Sequence, residues 1–151
     1  MKRSITMSVG ALVLSQLLAF TAMATPKCYS TGPLEEQGSG IVTFFAKVLN
    51  NDKDDSVRAK IVAFDLNGMK TIVEEESLEV NPQSSDFVTL EVGDTAEYEV
   101  QVKLYGTAAD KSLLGGFAKN ENGELVAAHR LVHSEWTEIE CPAPQNRHPL
   151  P

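Results

Sequence analysis

The sequence predicts an all-β fold: one antiparallel β-sandwich of about seven to eight short strands, following an N-terminal export segment. Three observations carry this. From Gly40 onward apolar residues recur with the period of two that belongs to strands rather than helices. Turn residues (Asn, Asp, Gly, Pro) separate these runs at short intervals. The chain of 151 residues, less its first 24, is long enough for one core and too short for two.

Residues 1–24 have the order of a cleavable signal. Lys2 and Arg3 come first, an apolar stretch follows over 10–20, and Ala22-Met23-Ala24 places small residues where a peptidase reads, so that Thr25 begins the mature chain. A membrane anchor would need about 20 uninterrupted apolar residues, and Ser15 and Gln16 break this stretch. No cysteine adjoins the cut and no later segment is apolar enough to span a bilayer. The expected location is therefore secreted or periplasmic. Residues 25–39, with Pro26, Pro33 and two glycines, read as a lead-in.

The domain proper is expected over 40–141. Residues 41–49 form a strand apolar on both faces, as a sandwich interior would require, and 50–55 form a polar loop. The next strand, 57–66, is closed by Asn67-Gly68, a two-residue hairpin signal because both residues tolerate positive φ. Residues 70–80 return, with Glu74, Glu75 and Glu76 marking a wetted edge. A turn over 81–85 leads to a strand at 87–92, which Gly93-Asp94 ends. Tyr98, Val100, Val102 and Leu104 then alternate with Glu97, Glu99, Gln101 and Lys103, one face core and the other solvent. After a loop at 106–111, residues 113–119 and 124–133 form a hairpin across Asn120-Glu121-Asn122-Gly123. Residues 124–136 also fit a helix, with Leu125, Ala128, Val132 and Trp136 on one side; the valines and the preceding Asn-Gly favour strand. A short strand at 136–141 ends the domain, and 142–151, with four prolines, read as a disordered tail.

Two stretches carry a family resemblance. One is the order of strand, Leu66-Asn67-Gly68 hairpin, returning strand, then Pro82-x-x-Ser85; the other is Asp94-x-Ala96-x-Tyr98-x-Val100. Over about 41–104 the chain resembles immunoglobulin-like domains, in particular the bacterial cell-adhesion-related (CARDB-like) extracellular domains. The likeness implies an immunoglobulin-like sandwich and a tyrosine corner at Tyr98, with Asp94 at the head of the motif and Val100 where many such domains have a cysteine. It implies binding or spacing as function only by analogy.

The chemistry-bearing residues are few. Cys28 and Cys141 lie near the two ends of the mature chain in an oxidising compartment, which predicts a structural disulfide; a redox pair would want C-x-x-C. His129 and His133 form H-x-x-x-H. A helix would bring both rings to one side about 6 Å apart, whereas a strand would separate them by about 13 Å. Glu135 would be a third ligand, but no glutamate sits between the histidines as hydrolytic zinc chemistry needs. Asn50, Asp52, Asp54 and Asp55 supply hard oxygen donors in one loop, as calcium prefers, although the EF-hand glycine and glutamate positions are filled by Asp55 and Ile61. Calcium or a transition metal is thus the only cofactor class with candidate ligands. Trp136 reads as a core plug near the disulfide, with a recognition platform as its alternative. No nucleophile elbow, phosphate loop or cross-cleft carboxylate pair is present.

The formal net charge of −8 becomes −10 once Lys2 and Arg3 leave. Such a chain repels phosphate backbones and anionic lipid, which argues against nucleic acid and membrane surfaces as partners. The resulting expectation is a non-enzymatic binding or structural module of the cell envelope or surface, meeting a protein or other macromolecule through loops or strand edges. The alternative is a small secreted ion- or ligand-binding protein using the 50–55 loop or the two histidines.

Overall fold

The computed structural model describes residues 24–35, 38 and 40–143; the segment expected to direct export, apart from Ala24, and most of the proline-rich tail lie outside them. Among the described residues ten strands run β1 (Lys27–Ser30), β2 (Leu34–Glu35), β3 (Ile41–Asn50), β4 (Val57–Asp65), β5 (Thr71–Val80), β6 (Ser84–Glu91), β7 (Glu97–Tyr105), β8 (Ser112–Asn120), β9 (Leu125–Leu131) and β10 (Thr137–Ile139). They form two antiparallel sheets packed face to face. Sheet A has the order β10-β1-β7-β4-β5, with β2 pairing separately with β7, and sheet B has the order β6-β3-β8-β9.

The core is built from alternate residues of the four central strands. Val57, Ala59, Ile61 and Ala63 of β4 lie beside Tyr98, Val100, Val102 and Leu104 of β7, all 2% exposed or less. Opposite them, sheet B contributes Phe44, Ala46 and Val48 of β3 with Leu114, Gly116 and Ala118 of β8. Large faces small across the layers. A Cβ added at Gly116 would stand 2.5 Å from Phe44 Cζ and 3.3 Å from Trp136 Cζ2, so this glycine makes room for two aromatic rings. Trp136 is a core residue, as predicted, edge-on to Phe44 with centroids 6.5 Å apart; its indole Nε1–H has no partner among the described residues.

Several elements differ from the sequence reading. Residues 27–30 are a strand inside sheet A, held between β7 and β10, so the sandwich starts ahead of residue 40 and has ten strands rather than seven or eight. Local composition hid this because β1 is held by its neighbours and by the disulfide, not by its own alternation. The hairpin at Asn67-Gly68 is a five-residue loop, since β4 ends at Asp65 and β5 begins at Thr71. Leu66 N–H donates to Glu97 O and keeps the chain beside β7, so the reversal is delayed to Gly68 at φ 87°. Residues 125–131 are strand, not helix, and the chain turns through a short 3₁₀ segment at His133–Glu135 before β10. Asn120 Oδ1 accepts from the amides of Asn122 and Glu124 and closes the β8–β9 turn, with Gly123 at φ 77°.

Cys28 and Cys141 are disulfide-bonded, with Cα atoms 5.1 Å apart across 113 positions of sequence. The bond ties β1 to the segment after β10, where Cys28 already faces Ile139 in the ladder. At the other edge of sheet A, Glu74 and Glu76 sit opposite the inward residues Ala63 and Ile61, and Glu74 accepts a hydrogen bond from the Glu91 amide of β6. Carboxylates directed into the open side of a sandwich obstruct pairing with another chain, as the acidic run predicts.

Candidate interaction face

Most of the predicted ion ligands are held by protein partners. Asn50 is fully buried: its amide donates to the carbonyls of Asp55, Val80 and Asn81, and its Oδ1 accepts from Asp52 N–H. Asp52 Oδ1 accepts from the amides of Asp54 and Asp55, while Oδ2 takes Lys111 Nζ at 2.7 Å. Asp55 accepts from the Thr107 hydroxyl at 2.6 Å, and Asp54 is exposed. The Lys111 ammonium, followed by the two loop amides, holds the Asp52 carboxyl well below the usual carboxylate range. Gln83, at φ 54°, adds side-chain bonds to the carbonyls of Asn51 and Asp52. This loop is a polar knot joining β3, β4 and the β5–β6 corner, and its carboxylates do not converge on a cation position.

The histidines are likewise separated. His129 Nε2–H donates to Glu35 O at 2.9 Å, and because a carbonyl can only accept, Nδ1 is the acceptor for the Tyr98 hydroxyl at 2.7 Å. His133 Nδ1 accepts from Leu114 N–H, and its ring leans on Tyr29. Among the described residues no group of three or more His, Cys, Asp or Glu could hold a metal ion. The Tyr98 hydroxyl therefore bonds across the sandwich to β9 rather than to upstream backbone, which replaces the predicted tyrosine corner; Asp94 stands exposed in the turn. Burial raises the Tyr98 pKa well above the usual phenol range.

Glu99, assigned to the solvent face of β7, is 9% exposed. Burial pushes its pKa up, but Lys70, Ser30 and Gln101 all bond the carboxylate and the net shift is downward. The lead-in strand and the loop after β4 cover this position, which local alternation could not reveal.

The surface that sequence reasoning missed is the outer face of sheet B. Phe45 of β3 stacks on Phe117 of β8, centroids 4.6 Å apart and planes within 10°, and it lies 5.9 Å from Phe87 of β6. Around these rings Phe87 is 54% exposed, Leu113 40% and Leu125 63%. The double-sided apolar character of 41–49 was the available signal. It implied burial of both faces, whereas Ile41, Phe44, Ala46 and Val48 are buried in the core and Phe45 and Leu49 point out. Toward β9 the face deepens into an open groove of about 770 Å³ lined by Leu49, Leu113, Phe117, Leu131 and Val132. Scattered exposed apolar residues are ordinary; a contiguous aromatic patch running into a groove is the mark of an interaction surface. No known protein family, curated protein or solved structure matches the chain.

Proposed function

We propose that this protein is an exported, non-enzymatic immunoglobulin-like module of the cell envelope or surface that binds a macromolecular partner on the outer face of sheet B. The observation that carries the reading is the Phe45–Phe87–Phe117 cluster on the outer face of sheet B, with Phe87 exposed and Phe45 and Phe117 half-buried, outside the core that Phe44, Ala46 and Val48 help build. Export is supported by the basic, apolar and small-residue order of 1–24 and by the disulfide. The immunoglobulin-like reading is supported by the pairings β3–β6, β4–β7 and β4–β5, which follow the B–E, C–F and C–C′ pairs of that architecture. β1 stands where strand G would lie beside F, and β8 where strand A would lie beside B.

The ion-binding alternative loses its support, since a cation at the 50–55 loop would have to displace Lys111 and the amides that Asp52 already holds. The test is a photo-crosslinking residue placed in the native cells at Phe87, on the face, and separately at Ile72, on the β5 edge. Discrete adducts from Phe87 and none from Ile72 are expected. Adducts from Ile72 alone would return the function to the strand edges, and intact mass of the same samples checks a chain beginning at Thr25.

A further inference from the structure

We infer that the groove on sheet B takes an extended, acidic polypeptide segment with apolar anchors, supplied by the partner. This rests on the proposed binding role of that face and specifies its occupant. The chain carries 21 acidic against 13 basic residues, yet the groove is lined by Lys47, Lys119 and Arg130 and by no carboxylate. None of these three cations makes an ion pair among the described residues, whereas Lys27, Lys60, Lys70 and Lys111 each hold a carboxylate. Lys119 instead rests over the Phe45 ring, 5.1 Å from its centroid, so cation and aromatic surface are presented together.

The groove has a structural origin in the β8–β9 ladder. β9 takes the whole path from Val126 to Leu131 against only Gly116 to Ala118 of β8, so the ladder carries a bulge in β9. The bulge turns His129 into the core and leaves the floor at Gly115 without a side chain; a Cβ there would meet nothing nearer than 3.8 Å. Apolar floor and basic rim suit a ligand that alternates apolar and acidic groups, which an extended peptide does with its period of two. A second copy of this chain is disfavoured face to face, because such a pairing would bring two basic rims, each with Lys47, Lys119 and Arg130, into one interface with no carboxylate lining either groove.

The experiment uses the exported protein and a short labelled peptide alternating aspartate with phenylalanine or leucine. Its counterpart with lysine for every aspartate, and vesicles of phosphatidylglycerol, serve as the other probes. The acidic peptide is expected to bind, to weaken as salt is raised, and to lose about tenfold or more in affinity in Lys47→Glu/Lys119→Glu. Leu125→Asp should weaken it comparably, and the unchanged urea midpoint of these surface variants shows that they fold. Equal binding of both peptides, or binding of the vesicles alone, overturns the acidic-peptide assignment while leaving the face as the working surface. Failure of every probe overturns it too; continued Phe87 adducts in cells would then spare the face, and their loss would sink both readings.

Discussion

Tyr98 and His129 show how a single polar contact can join two sheets. Both side chains are buried, and the hydroxyl, the imidazole and the Glu35 carbonyl form one chain of hydrogen bonds from β7 through β9 to β2. Tyr98→Phe keeps the ring but strands the Nδ1 acceptor, which costs about 1–3 kcal/mol. Urea unfolding should show that loss, and it should shrink in a His129→Leu background, since the two changes remove one interaction. Gly116 is the converse case, a residue whose value is what it lacks. Gly116→Ala would press a methyl group against the fully buried Phe44 ring and should destabilise by roughly 1–3 kcal/mol, read from the same denaturation midpoint. A neutral Gly116→Ala would mean that Phe44 has space to retreat, contrary to its packing against Tyr98 and Trp136.

The instructive element is the 50–55 loop. Its acidic composition reads first as a solvated turn and second as a set of ion ligands; Asn51 and residues 53–55 are exposed, but Asn50 and Asp52 are buried, with partners from the loop itself, the β5–β6 corner and Lys111. Asp52 is covered by its own loop yet lies near the surface, so loss of hydration weighs less than the Lys111 bond and its pKa falls. A carboxyl depressed in the folded state contributes stability above its unfolded pKa of about 3.9 and loses that contribution as pH falls through the lower folded value. Asp52→Asn keeps an acceptor for the loop amides but abolishes this titration. Urea midpoints followed from about pH 6 to about pH 2 should therefore fall less steeply in Asp52→Asn than in the wild type. Some slope remains, because Glu99 is shifted downward as well. Identical slopes would remove the Lys111 pair as a source of acid sensitivity.

For the whole molecule the decisive constraint is the Cys28–Cys141 bond. It closes 113 positions of chain and secures the two terminal strands, which are short and would otherwise depend on a few ladder bonds. In the chain-entropy description a loop of this length is worth roughly 4–5 kcal/mol. Cys28→Ala/Cys141→Ala should lose most of that in urea denaturation, with β1 and β10 the first segments to exchange their amide hydrogens. A double variant as stable as the wild type would show that β7 holds β1 unaided. The same terminal strands extend sheet A beyond β7, where β10 and β5 are the outer strands, while sheet B has β6 and β9 as its outer strands.

Local pattern alone determined most of the β-sandwich. Strands β3 to β9, the turns at Asn81 and Asn120, the acidic edge of β5 and the disulfide partners all follow from period-two alternation, turn chemistry and cysteine position. These are properties of neighbours in sequence. Only tertiary structure decided which side of β3 was core, because a strand apolar on both faces carries no mark distinguishing Phe44 from Phe45. It likewise decided that Lys27–Ser30 is a sheet strand, that Glu99 is buried and that Tyr98 answers to His129. Each of these depends on which distant segment arrives to cover a position. Burial and hydrogen-bond partnership are settled by that arrival, and the residues on either side in the chain do not encode it.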